Sequence, residues 1–456
     1  MIFEKFIVTP TAFTVALLGF GRANRAVADW LVKRGGVATA YTDTPVPDAV
    51  KAPYAVCGFR FCEAGFPAVF DEQVLVRSPG IRPDVSAISA SLARGACLTS
   101  ETELLLALTP AVALGVTGSD GKTTTATLAA ALLRAAGHRV WLGGNNGTPL
   151  LSRVAEMQRG DLLVLELSSF QLMTLSCPLV GAVLTNVTPN HLNWHTDMAE
   201  YVAAKCRIFG QGTRLILNAD NGITASIAAA RAVHTYLFSA RREWDDLPMR
   251  GRIYTCGEEV VVECDMQRRA FDCLGAFPLP GIHNLENLLA AVGLVAPYLT
   301  PSAPREALAA FRGVTHRLQY VDTVGGVAYY NSSIDTTPSR TVAALSALDA
   351  RPVVILGGRG KGVPFTPLKA ALADRAKAVC LYGEAAGDIA AVLPTGLPFV
   401  STAHFDEAFA TAVSLASAGD TVLLSPACTA FDEFCDFEAR GARFCELVKK
   451  LNKERI

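Results

Sequence analysis

The chain has 456 residues, 51% hydrophobic and 18% charged, with a formal net charge of −1 at pH 7. That length predicts about three domains at roughly 150 residues each, and the near-zero charge excludes a general electrostatic pull toward nucleic acid or anionic lipid. No run of about 20 apolar residues and no basic-then-apolar leader stands out, so a cytoplasmic enzyme with neither nucleic acid nor membrane as partner is expected. The twelve cysteines (57, 62, 97, 177, 206, 256, 264, 273, 380, 428, 435 and 445) form no CxxC pair. They are expected to be buried small hydrophobes rather than a zinc or dithiol centre.

An apolar strand, a glycine turn and a helix recur along the chain, which predicts parallel sheets flanked by helices. In "FTVALLGFGRANRAVADWLVKRGG" the strand is Val15–Leu18, the turn holds Gly19 and Gly21, and the helix runs from Asn24. A second strand, "VATAYTD", ends at Asp43, where a dinucleotide-binding unit places its ribose acid. Yet Asn24 occupies the third glycine position of GxGxxG, so this unit is expected to hold an anionic ligand other than NAD, or merely to fold.

"GVTGSDGKTTT" carries a second glycine turn, between an apolar strand and an alanine-rich helix. Its useful core is Gly118, Ser119, Asp120, Gly121, Lys122, Thr123 and Thr124. Backbone N–H groups at such a turn cradle polyphosphate, a lysine adds charge on the outer phosphates, and a threonine hydroxyl suits Mg²⁺. The spacing departs from GxxxxGK[ST], because five residues separate Gly115 from Gly121.

Further polar groups fall at strand ends. "DLLVLELSSFQL" delivers Glu166, Ser168 and Ser169 after an apolar run. A carboxylate buried there is costly unless it meets a cation such as nucleotide-bound Mg²⁺. "AVLTNV" leads to Asn186, Thr188 and His191, and Lys205 follows fourteen residues later. A metal-linked role is expected for His191. The last third, with strands "RPVVILGG", "KAVCLYGE" and "DTVLLSPA", predicts another open α/β sheet. The expected domains are 1–105, 106–312 and 313–456.

Taken in order, "GVTGSDGKTTT", "LELSSFQL", "NVTPNHLNWH…YVAAK", "GIHNLENLLAA", "HRLQYV" and "LLSPACTAFDEF" resemble the Mur ligases of bacterial cell-wall synthesis along the whole chain. The narrower motifs "RSPGI", "GGNNGTP" and "LSPAC" are similar to those of the family's D-glutamate-adding members.

The resemblance implies an α/β fold of three domains: a Rossmann-like amino-terminal domain, a central P-loop-type ATPase domain and a Rossmann-like carboxyl-terminal domain. It implies ATP and two Mg²⁺ as cofactors, and a monomer acting on UDP-N-acetylmuramoyl-L-alanine and D-glutamate. The UDP-substrate would be held by Gly19, Phe20, Gly21, Asp43, Thr44, Ser78, Pro79, Gly80, Asn145 and Ser168. ATP would be held by Gly118 to Thr124 with Asn284, Asn287 and Arg317. Lys122, Glu166, His191 and Lys205 would be catalytic, and Thr123, Glu166, His191 and a carbamylated Lys205 would hold metal. Lys361, Thr429, Ala430, Phe431 and Phe437 would bind the amino acid. Ser332, Ile334, Arg359 and Ala430 depart from the family pattern, which leaves a related ligase with a different acceptor as the alternative.

Overall fold

The computed structural model describes residues 2–145, 149–176, 179–230, 235–241, 249–264, 267–279, 281–311, 313–348 and 350–454. The central residues of "GGNNGTP" and Cys177 lie outside the described residues. The chain divides into two compact units, Met1–Phe311 and Arg312–Ile456.

Among the described residues, the first unit contains two sheets. The amino-terminal one is all parallel, with strands β1 (Val15–Leu18), β2 (Thr39–Tyr41), β3 (Arg60–Cys62), β4 (Val74–Arg77) and β5 (Cys97–Thr99) in the order β3-β2-β1-β4-β5. The second sheet holds β6 (Val112–Thr117), β7 (Val140–Gly144), β8 (Leu162–Glu166), β9 (Gly181–Leu184), β10 (Arg214–Asn218), β11 (Thr235–Phe238), β12 (Gly251–Cys256), β13 (Glu259–Cys264) and β14 (Gln267–Asp272). Their order is β14-β13-β12-β11-β10-β9-β6-β8-β7, parallel from β7 to β12 and antiparallel at the β12-β13-β14 edge. Its central strands are apolar on both faces, because helices cover both. Helices Lys122–Ala135 and Ile282–Val295 close one face. The core on the other face forms one apolar cluster with that of the amino-terminal sheet, with Leu150 and Leu151 among its buried members.

The second unit has one sheet: β15 (Gln319–Val324), β16 (Val327–Asn331), β17 (Val353–Gly357), β18 (Ala378–Tyr382), β19 (Phe399–Ser401) and β20 (Thr421–Ala427). The order is β15-β16-β20-β17-β18-β19, with only the β15–β16 pair antiparallel. Separate apolar clusters fill its two faces.

Cysteine burial differs from expectation. Cys273, Cys380 and Cys428 are buried, whereas Cys57, Cys62, Cys256 and Cys435 are exposed. For Cys62 the reason is position, since β3 is an edge strand with both its end residues facing water. Among the described residues, no helix is long and apolar enough to cross a membrane.

Candidate active site

Each sheet reverses its strand order at one place, and loops leaving the carboxyl ends of parallel strands open a crevice there. In the amino-terminal sheet that place lies between β1 and β4. Gly19 turns the chain with φ 74°, and a Cβ there would sit 2.9 Å from Ser78 Oγ, so only glycine fits. The missing third glycine has a physical explanation. Asn24 is fully buried, and its amide nitrogen donates to the carbonyls of Leu18 (2.9 Å), Gly19 (2.8 Å) and Val76 (3.1 Å). It therefore pins β1, the turn and β4 together. Three buried polar atoms around this turn have no hydrogen-bond partner among the described residues: Asn24 Oδ1, Thr42 Oγ1 and Ser78 Oγ. Such atoms are costly to bury unless a ligand meets them. Phe20 packs edge-on against Tyr54 and Phe61 beside the turn, and Asp43 and Thr44 follow β2.

In the second sheet β6 runs into the loop Gly118–Gly121, which opens helix Lys122–Ala135. Gly118 (φ 153°) and Gly121 (φ 78°) are sterically required: an added Cβ would lie 1.9 Å from Thr185 Oγ1 at the first and 2.2 Å from Asn287 Oδ1 at the second. Main-chain and side-chain groups from the neighbouring strand end set the loop. Ser119 N donates to Asn186 O (2.9 Å), Asp120 N to Asn186 Oδ1 (3.0 Å), and Thr188 N to Ser119 Oγ (2.9 Å). Thr185 Oγ1 donates to Asp120 O (2.6 Å). Asn287, buried on helix Ile282–Val295 with Asn284 one turn earlier, accepts from Thr125 Oγ1 (3.2 Å) against the same loop. Thr123 and Thr124 lie in the helix's first turn, where free N–H groups and the helix dipole favour phosphate.

Two lysines converge on this loop. Lys122 Nζ donates to the carbonyls of Gly118 (3.0 Å) and Ser119 (2.8 Å), and Lys205 Nζ donates to Gly118 O (2.6 Å). Lys205 is 2% exposed, with its amine 4.5 Å from the centre of the Tyr201 ring. Burial, reinforced by the Lys122 charge, lowers its pKa from 10.5 to about 7.

Glu166 ends β8 and is buried; its Oε1 accepts from Asn145 Nδ2 (2.9 Å), while its Oε2 has no partner among the described residues. An orphaned buried carboxylate oxygen suits a hard cation. Ser168, two residues on, caps the short helix Ser169–Leu172 in a reciprocal capping box with Gln171. His191 lies in the left-handed region (φ 56°), which costs on the order of 1–3 kcal/mol and must be imposed by its surroundings. Its carbonyl accepts from Trp194 N and His195 N, both at 3.0 Å, and its ring meets Phe170 at 5.0 Å. Among the described residues no three His, Cys, Asp or Glu side chains form a ready-made metal cage. A hard cation meeting Glu166 Oε2 would therefore have to draw further oxygen ligands from outside such a cluster.

Sequence reasoning missed the side chains that frame this site. Arg77 is buried beneath the Ser78–Gly80 loop and donates to Pro79 O, Ile81 O and Phe170 O (2.7 Å). Burial lowers its pKa to about 10. His195 bridges Glu200 through Nδ1 (3.0 Å) and Ser169 through Nε2 (2.9 Å). Its place four residues after His191 is the one signal that could have flagged it.

In the second unit the reversal lies at β17 and β20. Arg359 N donates to Thr429 O and Thr429 N to Arg359 O, so the loops after both strands pair as a short bridge. The Thr429 hydroxyl donates to Arg359 O (2.8 Å). Ala430 is buried, Phe431 is 58% exposed, and Phe437 begins helix Phe437–Glu454. Lys361 Nζ donates to Thr336 Oγ1 (2.9 Å), and its pKa is lowered by burial and by Arg340. Arg359 is committed to Glu384 through two bonds (2.8 and 2.7 Å). Ile334 is half-buried, and Ser332 is buried with its hydroxyl accepting from Leu318 N (3.0 Å). Arg317 lies in the turn before β15, where it and Arg340 oppose the burial that raises the Asp335 pKa to about 6. Arg440, wholly buried, ties these loops together by donating to Ser333 O, Cys428 O and Thr429 O.

Two family models match the chain: the Mur ligase middle domain over residues 116–295 and the Mur ligase glutamate ligase domain over residues 316–428. The chain belongs to the Mur ligase family. It is thus an enzyme of the ATP-dependent ligase class. The UDP-N-acetylmuramoylalanine–D-glutamate ligase of Ruminiclostridium cellulolyticum is 37% identical to it over 463 aligned positions, covering 96% of each chain. The Symbiobacterium thermophilum protein of the same name is 39% identical, covering 96% of this chain and 98% of the relative. Among solved Mur ligase structures, UDP-N-acetylmuramate–alanine ligase MurC of Thermotoga maritima superposes with a TM-score of 0.56 at 17% identity, covering 96% of this chain and 99% of the other. MurF of the same organism, in complex with ADP, also gives 0.56 at 16% identity, covering 92% and 96%. These two establish the shared three-domain α/β fold.

Proposed function

We propose that this Mur ligase joins D-glutamate to UDP-N-acetylmuramoyl-L-alanine at the expense of ATP, in the assembly of a peptidoglycan precursor. The observation that carries the chemistry is the glycine loop Gly118–Gly121 opening a helix beside the half-satisfied carboxylate of Glu166. Near-full-length relatives at 37 and 39% identity that bear this ligase name support the substrates.

A carboxylate resists attack by an amine because its oxygen is a poor leaving group. Transfer of the ATP γ-phosphoryl group to the terminal alanine carboxylate gives an acyl phosphate and ADP. The amine of D-glutamate attacks that carbonyl, loses a proton, and expels phosphate from the tetrahedral intermediate. Lys122 and the N–H groups of the loop and first helical turn stabilise the charge on the transferring group. Asn284, Asn287 and Arg317 hold the remainder of ATP.

Glu166, His191, Thr123 and a carbamylated Lys205 would hold two Mg²⁺ ions. When bound, magnesium supplies charge neutralisation and orientation of phosphate oxygens. A lysine with a pKa near 7 has the unprotonated amine that addition to CO₂ requires, and the product is a carbamate plus a proton.

In the amino-terminal sheet, Gly19, Phe20, Gly21, Asp43, Thr44 and Ser78–Gly80 take the UDP portion, and the unpartnered Ser78, Thr42 and Asn24 atoms supply its polar contacts. Asn145 and Ser168 sit toward the reacting end. In the second unit Lys361 holds the acceptor's side-chain carboxylate, with Thr429 and Ala430 shaping the loop beneath it and Phe431 and Phe437 flanking it. Phosphate release that requires both UDP-N-acetylmuramoyl-L-alanine and D-glutamate tests the assignment; release with another amino acid alone would replace the acceptor.

A further inference from the structure

Arg82 lies outside every group of residues assigned above, yet it joins two of their loops. Its Nη1 donates to Trp194 O (2.6 Å) and Glu200 Oε2 (3.1 Å), and its Nη2 to Glu200 Oε1 (2.8 Å). Nε and Nη2 also engage Asp84, and the guanidinium lies 5.1 Å from the centre of the Trp194 ring. Trp194 in turn donates its indole N–H to Gly80 O (2.9 Å).

Glu200 extends the connection. Its Oε2 accepts from Thr196 N (3.0 Å) and contacts His195 Nδ1 (3.0 Å). The other nitrogen of His195 meets the hydroxyl of Ser169, three residues after Glu166. The His195 ring stacks on Phe170 (5.7 Å, 26°), which also meets the His191 ring edge-on at 5.0 Å. From Arg82, then, a continuous series of bonds reaches the strained turn of His191 and the strand end that carries Glu166. A planar five-donor fork can make this junction, and a lysine cannot.

We propose that Arg82 and Glu200 are positioning residues: the pair fixes the 191–196 turn against the Ser78–Gly80 loop so that His191 and Glu166 are held ready for a nucleotide-bound divalent cation. This rests on the cation-binding reading of Glu166 and His191. Partners that orient metal ligands without touching the metal typically govern about 10- to 100-fold in metal affinity.

The test is direct Mn²⁺ binding in the presence of ADP, read from the electron paramagnetic resonance signal of free Mn²⁺, on the full-length wild type, Arg82→Gln, Glu200→Gln and the double variant. Thermal midpoints and the D-glutamate KM are taken alongside. Each single variant is expected to weaken Mn²⁺ binding about 10- to 100-fold, with the D-glutamate KM unchanged and the double variant no worse than the weaker single. Glu200→Gln, nearly isosteric, serves if Arg82→Gln does not fold. Unchanged Mn²⁺ affinity with only a lowered midpoint would overturn the proposal and leave a simple structural brace. The binding arm is independent of turnover, so a wild type that binds Mn²⁺·ADP but forms no amide with D-glutamate would instead remove the proposed substrate assignment.

Discussion

Lys122 and Lys205 donate to the same main-chain oxygen, the carbonyl of Gly118, at 3.0 and 2.6 Å. One lysine opens the phosphate-loop helix; the other comes from helix Met198–Cys206, more than eighty positions later. The carbonyl brings the two amines together, and burial of Lys205, reinforced by the Lys122 charge, explains why Lys205 holds its proton so weakly.

That arrangement predicts a trade between stability and activity. The unfolded chain binds the Lys205 proton with pKa 10.5 and the folded one with about 7. Stability should therefore rise between about pH 7 and 10.5, and the burial penalty is fully present below pH 7. In bicarbonate-free buffer Lys205→Met is expected to melt higher than wild type at pH 6, with the gap closing toward pH 10. Its turnover should fall by about 10²–10³-fold, the scale of losing one electrostatic partner of a transferring group. Labelled bicarbonate should give a carbamate carbon signal in wild type that this variant lacks.

Glu166 gives a complementary outcome. With one buried oxygen unpartnered, the carboxylate is a burden on the ligand-free protein. Glu166→Gln should leave the ligand-free melting temperature unchanged or raise it, while abolishing the extra stabilisation that Mg²⁺·ADP gives wild type. Differential scanning calorimetry with and without Mg²⁺·ADP reads both. A variant that loses stability yet keeps the full Mg²⁺·ADP response would show that Glu166 is only a structural residue.

The first glycine turn invites a substitution that restores the dinucleotide fingerprint. Asn24→Gly completes GxGxxG but removes bonds to three carbonyls of the β1–β4 seam. The expected result is a loss of about 1–3 kcal/mol in denaturant unfolding, with no NAD binding by fluorescence titration.

The architecture was legible because parallel strands buried on both faces read as continuous apolar runs, and glycine turns follow β1 and β6 directly. Gly118, Lys122 and Glu166 could be selected because residue type and strand-end position agree, whereas Lys205, inside a helix, was marked by the family resemblance alone. What escaped were side chains whose roles depend on distant partners. Arg77 meets Phe170 across 93 positions, Arg82 meets Glu200 across 118, and Arg440 meets Ser333 across 107. No local pattern marks such pairings; in the sequence each is an arginine that could equally lie on the surface. The Thr429 hydroxyl likewise donates to the Arg359 carbonyl across 70 positions, a contact that ties down the loop leading to Lys361 and that no local pattern marks.

For the amino-acid side, Arg359 is already paired with Glu384, and Lys361, steadied by Thr336, is the proposed cation for the carboxylate. Lys361→Ala is expected to raise the D-glutamate KM about 10- to 100-fold, as a charge-assisted bond of roughly 1.5–3 kcal/mol would, while the ATP KM stays unchanged. Thr429→Ser, which keeps the hydroxyl, should behave like wild type in the same assay. An unchanged D-glutamate KM in Lys361→Ala would move the carboxylate elsewhere.

Phosphate release from ATP with UDP-N-acetylmuramoyl-L-alanine, comparing D-glutamate with other D- and L-amino acids, decides whether this enzyme adds D-glutamate. Release is expected with D-glutamate and not without the UDP-substrate. Release driven by a different amino acid, or none with any, would contradict that assignment.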